Sequence, residues 1–492
     1  MISLQGQAEI FRDRTAIVAD RASFSYSQLL KASKNVAANL LNKAADLNEA
    51  RISFLIPPSF EYTAILWGIG AAGGIAVPLC VLHPLPSIQY VLEDSQTKLV
   101  IAHGAYFDFL KPLEKKIGIS IVALESVLKE NNKDLPQITG ERRAMILYTS
   151  GTTSKPKGVV TTHNTIETQI TTLTHAWEWQ ADDYILNFLP LHHVHGIINV
   201  LSCALWSGAC CEFMPKFDAQ KVWHIIKSGR LTIFMAVPTI YYQLILFWNK
   251  APSEEQKILS EAASKLRLTV SGSAALPVSV LEKWQEITGQ RLLERYGMTE
   301  IGMGLSNAYR GERRAGHVGL PFPGVEIRLV DTDNKCIVEN QPGEIQVKGA
   351  SLFKEYWRKP EATQKAFTKD GWFKTGDIAE LNKGSYKILG RDSVDIIKSG
   401  GYKISALEIE NVLRKYKDVA DCAVVGLADE EWGEVIAACI VSTEKEVDFK
   451  VLSKWLKTRL PAYKIPRNYI LRKELPRNVL GKVTKNKLKK MF

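Results

Sequence analysis

The sequence predicts an α/β protein with a large N-terminal region, which includes a β-rich subdomain, and a small, mobile α+β domain at the C-terminus. Three observations predict this architecture. Helix-like and strand-like segments alternate through most of the chain, short strands broken by Pro and Gly occupy 319–349, and the pattern changes again at Gly390. Alternating helices and strands are typical of a largely parallel sheet covered by helices.

The alternation is clearest near the N-terminus. Helical spacing is found over 26–43, 59–72 and 87–95, and apolar strand patterns over 51–56, 75–79 and 99–102. The most apolar run, 63–80, contains four glycines and Pro78. A membrane helix tolerates some of these residues, but a buried helix followed by a buried strand fits the pattern better. We therefore expect no integral membrane segment.

Two later changes of pattern predict the domain organisation. Short strands are expected over 326–330 and 344–347, which form the β-rich subdomain. Beyond Gly390, strand patterns at 420–426 and 434–441 are followed by a helical pattern at 449–460. The predicted domains are therefore 1–390 and 391–492.

The composition of the 492 residues, 46% hydrophobic and 23% charged, is typical of a globular protein. The formal net charge is +11, but the basic residues are scattered and their densest cluster, 482–490, is a short tail. We expect no nucleic-acid partner, and a basic surface suits anionic small substrates. The seven cysteines form no C-x-x-C pair, so we expect neither a disulfide framework nor a zinc site. The N-terminus lacks the pattern of a signal or transit peptide, which predicts a cytoplasmic location.

A segment rich in hydroxyl groups and glycine, 148–158 (YTSGTTSKPKG), follows the apolar strand pattern at 144–147. Its N–H and O–H groups suit phosphate oxygens, and Lys155 and Lys157 add countercharge. The spacing is not that of a Walker A loop. A flexible surface turn has the same composition, so composition alone leaves both interpretations open.

The full string resembles the phosphate-binding signature of the adenylate-forming superfamily, which includes acyl-CoA synthetases, luciferases and peptide-synthetase adenylation domains. Ser154 stands where that family usually has Gly, a modest cost if the position needs a positive φ. Further segments resemble the family's motifs in the right order: 189–196 (acyl-pocket histidines), 271–276 (adenine), 294–300 (nucleotide), 375–377 (ribose), 390–392 (hinge) and 478–483 (catalytic lysine). The resemblance covers essentially the whole chain.

The resemblance implies binding sites for ATP, Mg²⁺, a small-molecule carboxylate and coenzyme A. The implied catalytic residues are Lys482, Glu300, Thr152 and His193, of which Glu300 and Thr152 would hold the metal. The implied ATP-binding residues are Thr149, Ser150, Gly151, Thr152, Thr153, Ser154, Lys157, Gly272, Ser273, Ala274, Tyr296, Gly297, Met298, Thr299, Asp377, Arg391 and Lys482. Taken singly, His193 fits an ordinary buried histidine, Asp377 a turn residue and Lys482 a solvated lysine, so the ordered set of motifs carries the functional interpretation.

The resemblance also implies two half-reactions at one site. The carboxylate first attacks the α-phosphorus of ATP, and a thiol then attacks the acyl-adenylate after the small domain has rotated about a hinge within 392–395. The implied coenzyme A residues are Lys398, Gly400, Gly401 and Trp432.

The identity of the carboxylate rests on Arg295. Together with 271–273 and 193–196 it resembles malonyl-CoA and methylmalonyl-CoA synthetases, and the implied acyl-substrate residues are His193, Ser271, Arg295 and Met303. A guanidinium is a natural partner for a second carboxylate. Alternatively, Arg295 pairs with Glu294 or Glu300 and leaves an apolar pocket for a medium- or long-chain fatty acid.

Other activities share these motifs. A free-standing adenylation enzyme would load a carrier protein in place of coenzyme A, and a luciferase-like oxygenase would use O₂ in place of a thiol. A non-catalytic binding protein would not need both Lys482 and Glu300. The sequence leaves a monomer and a homodimer equally open.

Overall fold

The computed structural model describes residues 2–149, 155–400, 402–442, 447–478 and 481–492. Its strands form four sheets, of seven, nine, four and five strands. The first two sheets belong to the large N-terminal region and are mostly parallel. The other two follow in chain order and are mostly antiparallel.

The seven-stranded sheet is parallel at its centre and antiparallel at one edge. Its strands, in spatial order, are Glu355–Tyr356, Lys157–Thr162, Arg143–Thr149, Ile75–Pro78, Arg51–Leu55, Leu99–Ala102 and Ser120–Ala123. The central strands are almost wholly buried, as parallel strands covered by helices on both faces must be.

The nine-stranded sheet is parallel from Thr15–Ala19 through Leu293–Met298 and antiparallel at both ends. Its strands, in spatial order, are Leu320–Pro321, Gly302–Ser306, Leu293–Met298, Leu268–Ser271, Ile233–Ala236, Tyr184–Asn187, Cys210–Phe213, Thr15–Ala19 and Ala22–Ser25.

The third sheet is the predicted β-rich subdomain. Its antiparallel strands are Val325–Val330, Gly343–Gly349, Phe373–Asn382 and Ser385–Arg391. The fourth sheet consists of Tyr402–Ser405, Ile396–Ser399, Gly433–Ser442 and Val419–Asp429, with Asn468–Arg472 parallel to Gly433–Ser442. The chain passes from the third sheet to the fourth between Arg391 and Ile396, and the fourth sheet has its own hydrophobic core.

The helices pack on these sheets and connect their strands. The α-helices are Ile2–Ile10, Tyr26–Leu41, Phe60–Ala71, Leu85–Ser95, Gly104–Leu110, Pro112–Ile117, Leu124–Leu128, His163–Ala176, Cys203–Trp206, Ala219–Lys227, Pro238–Lys250, Ser253–Ser264, Val278–Thr288, Pro360–Ala366, Ala406–Leu413, Phe449–Lys457 and Lys485–Lys489. His195–Ser202 is a π-helix and Ala462–Lys464 a 3₁₀-helix. In the described parts of the chain, no helix is long and apolar enough to cross a membrane.

Local sequence explains where the first helices begin. Ser25 accepts a hydrogen bond from the N–H of Gln28, whose side chain accepts one from the N–H of Ser25, so the two form a capping box. Ser59 caps Phe60–Ala71 in the same way through the N–H of Tyr62. That helix is buried on all sides and is followed by the strand Ile75–Pro78. The interpretation of 63–80 as a buried helix and strand is thus confirmed.

Two features differ from the sequence prediction. The helix predicted over 449–460 ends at Lys457, four residues before Pro461, because the residue that precedes a proline disfavours helical backbone. The π-helix His195–Ser202 was not predicted, since its apolar pattern is that of any buried helix. π-Helical turns occur frequently at functional sites, and this one begins inside the histidine motif.

Candidate active site

The predicted substrate residues gather at the carboxyl ends of neighbouring strands in the nine-stranded sheet. Leu268–Ser271 and Leu293–Met298 are parallel, and Ser271 lies opposite Glu294. The segment 272–274 continues from the first strand. In open α/β sheets, ligands bind outside the carboxyl ends of the strands.

Arg295 is buried and has no protein acid as partner in the described parts of the chain. The residue is 4% exposed, and its Nε and Nη2 atoms are buried without a hydrogen-bond partner. Desolvation lowers its pKa to about 9, and no carboxylate raises it. The guanidinium therefore remains charged at neutral pH in a site that offers it no counterion.

The two glutamates that could have paired with Arg295 are engaged elsewhere. Glu294 is its neighbour on the same strand, so its side chain points to the opposite face, where Oε1 accepts a hydrogen bond from the N–H of Leu276 at 3.1 Å. Burial raises the pKa of Glu294 to about 8. Glu300 accepts a hydrogen bond from the hydroxyl of Tyr356 at 2.9 Å. The alternative in which Arg295 pairs with either acid is therefore wrong.

Gly272 lies directly against Arg295. A Cβ placed on Gly272 would be 2.4 Å from Cζ and 2.5 Å from Nε of that side chain. The same pattern recurs at Gly297, where a Cβ would lie 2.2 Å from the carbonyl oxygen of Gly302 and 2.6 Å from Cε of the buried Met303. These two glycines are required because other groups occupy the space of a side chain.

The loop after Leu268–Ser271 is held by a histidine. Ser273 has a φ of +68°, which non-glycine residues seldom adopt, and its hydroxyl lies 3.0 Å from Nδ1 of His195. The Ser271 hydroxyl is buried without a partner in the described structure, and Ala274 is exposed. Backbone strain of this kind is common at ligand sites.

The histidines of the motif 189–196 form a compact group. The rings of His192 and His193 lie 4.0 Å apart. Desolvation, with a further contribution from the positive charge of Lys482, lowers the pKa of His193 to about 3. Desolvation and then the charge of Arg295 lower the pKa of His195. Both imidazoles are therefore neutral at physiological pH and lie near the cations of the site.

The predicted ribose and hinge residues form one cluster with the predicted adenine-stacking tyrosine. The hydroxyl of Tyr296 donates to Oδ2 of Asp377 at 2.6 Å, and Nε of Arg391 donates to Oδ1 at 2.8 Å. Arg391 also donates to the carbonyl of Thr375 at 3.2 Å. Desolvation lowers the pKa of Arg391, but the charge and hydrogen bonds of Asp377 outweigh it and the net shift is upward. Met298 and Thr299, which follow Tyr296, are half-buried.

Glu300, the predicted metal ligand, is a buried carboxylate that feels the charges of nearby basic side chains. It is 6% exposed, and its pKa is raised by burial and lowered by the hydrogen bond from Tyr356 and by the charges of Arg391 and Lys157. The ammonium of Lys157 lies 4.7 Å from the centre of the Tyr356 ring. Thr149 pairs with Lys157 across two strands. The remaining predicted phosphate-loop residues lie outside the described residues: Ser150, Gly151, Thr152, Thr153 and Ser154.

The predicted catalytic lysine reaches this site from the small domain. A Cβ on Gly481 would lie 3.0 Å from Oγ1 of Thr239, so the lysine loop rests on the start of the helix Pro238–Lys250. Lys482 is exposed as a residue, and desolvation of its ammonium group is the main influence that lowers its pKa. The charges that act on it include those of Asp377, Arg391 and Arg295.

The predicted coenzyme A residues form a separate group on the small domain. The N–H of Gly400 donates to the carbonyl of Trp432 at 2.9 Å, and a Cβ on Gly400 would lie 2.8 Å from the indole ring. The guanidinium of Arg467 lies over the indole ring of Trp432, with Cζ 4.1 Å from the ring centre. Lys398 pairs with Asp392 at 3.3 Å, and Gly401 lies outside the described residues.

Two family models match this chain. Residues 4–357 match the family of AMP-binding enzymes, and residues 408–482 match the AMP-binding enzyme C-terminal domain. The chain belongs to the family of AMP-binding enzymes.

Similar members of the family are malonate–CoA ligases. The mitochondrial malonate–CoA ligase ACSF3 of Xenopus laevis is 42% identical over 99% of this chain and 91% of its own length. The crystal structure of ATP-bound MatB from Rhodopseudomonas palustris has a TM-score of 0.90 at 30% identity and covers 99% of this chain and 98% of its own. A malonyl-CoA ligase with methylmalonyl-CoA and AMP bound has a TM-score of 0.70 at 34% identity, covering 95% and 97%.

The sequence does not predict the contacts of two residues in the candidate site. Tyr356 holds Glu300 from 56 positions away, and no pattern in the sequence joins them. His195 belongs to the predicted histidine motif, but no pattern in the sequence predicts its contact with Ser273 or its proximity to Arg295. Both the contact with Ser273 and the proximity to Arg295 follow from the position of His195 at the start of the π-helix His195–Ser202.

Proposed function

We propose that this chain is an AMP-forming malonate–CoA ligase, which also accepts methylmalonate. The observation that carries the proposal is Arg295, a buried guanidinium with no protein counterion in the described structure. An unpaired buried charge costs several kcal/mol, roughly 3–5 when one partner of a pair is missing. A substrate with a second carboxylate would relieve that cost, whereas a monocarboxylate would not.

The names of the similar ligases support the same substrate. The alignment with a malonate–CoA ligase extends over nearly the whole of both chains, so the proposed activity rests on the complete architecture and not on one shared domain. Alignment alone does not identify the group that recognises malonate. We propose that Arg295, buried beside Gly272, is that group.

In the first half-reaction, one carboxylate oxygen of malonate attacks the α-phosphorus of ATP, the bond to the β-phosphate oxygen breaks, and malonyl-AMP and pyrophosphate form. Negative charge spreads over the phosphate oxygens, so positioning and charge stabilisation carry the catalysis. Arg295 would hold the distal carboxylate, and Lys482 would face the reacting groups from the small domain. Asp377 and Tyr296 would bind the ribose and adenine.

The described residues fit a divalent cation bound with the nucleotide. Mg²⁺ takes hard oxygen ligands and needs only one or two carboxylates besides phosphates and water. Glu300 is a buried carboxylate between cationic neighbours, and burial raises its pKa, so a cation would stabilise its charged form. Bound Mg²⁺ would neutralise charge on the phosphate oxygens, and Thr152 is the second proposed ligand.

In the second half-reaction, the thiol of coenzyme A loses its proton and its sulfur attacks the acyl carbonyl, which releases AMP. Lys482 reaches the site in this structure, whereas Lys398, Gly400 and Trp432 form a group of their own on the small domain. We propose that the domain 391–492 rotates to exchange the two groups.

The other candidate substrates are a fatty acid in place of malonate and a carrier protein in place of coenzyme A. A fatty acid would leave the buried guanidinium of Arg295 unpaired, which argues against it. A carrier protein presents the same thiol as coenzyme A, and the residues of the site do not separate the two. The cytoplasmic location stays a prediction, and so does the choice between monomer and homodimer.

The proposal is tested by offering the purified enzyme MgATP with malonate, methylmalonate, acetate or octanoate, each with coenzyme A. Pyrophosphate release and the mass of the thioester are measured. We expect malonyl-CoA and methylmalonyl-CoA to form at rates far above those of the monocarboxylate products. Octanoyl-CoA as the dominant product would refute the dicarboxylate assignment.

A further inference from the structure

Three side chains with metal-binding atoms meet beside the histidine motif. Cys80 and His83 follow the strand Ile75–Pro78, and His192 follows the strand Tyr184–Asn187. The sulfur of Cys80 and one ring nitrogen of each histidine lie within 4.8 Å of one another. The sequence predicted no zinc site, because the pattern C-x-x-H contributes only two ligands and the third is more than 100 positions away.

We propose that Cys80, His83 and His192 bind a Zn²⁺ ion that links the seven-stranded sheet to the nine-stranded sheet. Zn²⁺ prefers thiolate and imidazole ligands in tetrahedral geometry, and three protein ligands leave a fourth position for water. Around such an ion the donor atoms are about 3.3–3.7 Å apart, given bond lengths of about 2.0–2.3 Å. Small rotations of the three side chains therefore bring the observed group to that geometry.

Two further features of these side chains suit a bound cation. His192 is only 9% exposed, and its buried Nε2 atom has no hydrogen-bond partner in the described structure. A buried polar atom without a partner is uncommon and calls for a ligand. Burial raises the pKa of the Cys80 thiol, and hydrogen bonds from the N–H groups of Leu82 and His83 to its sulfur offset part of that rise. Binding would release the thiol proton to solvent.

The site would fix the loop that carries the acyl-pocket histidine. The rings of His83 and His192 lie 5.6 Å apart, and His192 is stacked on His193 at 4.0 Å. Bound Zn²⁺ would therefore anchor 191–193 to the opposite sheet and act as a structural link next to the substrate pocket. This inference does not depend on the proposed substrate.

The test uses the full-length protein without a histidine tag, freed of metal and titrated with Co²⁺ as a spectroscopic substitute for Zn²⁺. We expect one Co²⁺ per chain, with a thiolate-to-cobalt band in the near ultraviolet and the visible bands of a tetrahedral complex. Cys80→Ser removes the thiolate band, and His83→Asn weakens Co²⁺ binding by more than about tenfold. Cys336→Ser is the matched control, because Cys336 is exposed and distant in sequence from the cluster.

Thermal unfolding provides a second readout. Added Zn²⁺ should raise the melting temperature of the wild type and of Cys336→Ser, since a ligand that binds only the folded state stabilises it. It should not raise that of Cys80→Ser or His83→Asn. A Co²⁺ titration without a thiolate band, or an unchanged band in Cys80→Ser, would overturn the proposal. If Cys80→Ser folds poorly, His83→Asn still tests the proposal, because His83 is only half-buried.

Discussion

Gly272 leaves the space that the guanidinium of Arg295 occupies: a Cβ on residue 272 would lie 2.4 Å from its Cζ. In Gly272→Ala the long arginine side chain must move, because it is the flexible partner in the contact. A displacement of about 1 Å in a positioning group costs on the order of a hundredfold in rate. We expect kcat/KM for malonate to fall by about that factor while the melting temperature changes little.

Steady-state kinetics and thermal unfolding check this expectation. Gly104→Ala is the control, since a Cβ there would meet no atom within 4 Å. If Gly272→Ala keeps full malonate activity, the position of Arg295 is not what selects the substrate.

Lys482 is expected to act in adenylate formation alone. Lys482→Met removes the ammonium that lies near Asp377, Arg391 and Arg295. Loss of one group that stabilises transition-state charge costs about 10²–10³ in rate. Pyrophosphate exchange should fall by this factor, whereas thioester formation from supplied malonyl-AMP should continue. Lys473→Met, at an exposed position, serves as the control, and equal loss of both half-reactions in Lys482→Met would contradict the assignment.

Tyr356→Phe should shift the acidic limb of the pH–rate profile. Burial raises the pKa of Glu300, and the hydrogen bond from Tyr356 opposes that rise. Without the hydroxyl the pKa of Glu300 rises further, so a higher pH is needed to ionise it. The limb should therefore move to higher pH, since the lost hydrogen bond favours the charged carboxylate. The dependence of kcat/KM on pH, with Tyr106→Phe as control, measures this, and an unmoved limb would exclude Glu300 as the titrating group.

A buried ion triad should stabilise the small domain. Nζ of Lys485 lies 2.6 Å from Asp395, within the predicted hinge segment, and 2.9 Å from Glu410. Lys485→Met would remove the ammonium from the partly buried Asp395 and the buried Glu410. The cost should be at most about 3–5 kcal/mol, because Glu410 keeps Arg414 at 3.6 Å. Calorimetry should show the small domain unfolding at a lower temperature. Lys487→Met, exposed on the same helix, should unfold like the wild type, and similar unfolding of both variants would contradict the role of the triad.

Much of the fold followed from local pattern. The helix Phe60–Ala71 and the strand Leu99–Ala102 were predicted within a residue or two, because hydrophobic periodicity and a capping serine mark them. The π-helix His195–Ser202 was not, because its extra residue per turn leaves no mark in the order of apolar residues. The strand Glu355–Tyr356 is too short to carry a period at all.

The candidate site divides along similar lines. Motif residues such as Asp377 and Arg391 were named from the sequence, and the structure brings them into contact. The sequence does not predict which distant segments come into contact. The hydrogen bond from Tyr356 to Glu300 and the meeting of Cys80 with His192 depend on how separate strands and sheets pack, which no local pattern records. The lack of a partner for Arg295 is likewise a property of the folded surroundings.

The central claim is that Arg295 selects a dicarboxylate, and the ratio of kcat/KM for malonate to that for octanoate tests it most directly in the wild type and in Arg295→Ala. A site built to pair a buried polar group rejects substrates that lack the partner by about 10⁴–10⁵. We predict a wild-type ratio of this order that collapses in Arg295→Ala through loss of malonate activity. A wild type that prefers octanoate, with a variant that changes neither rate, would contradict the account.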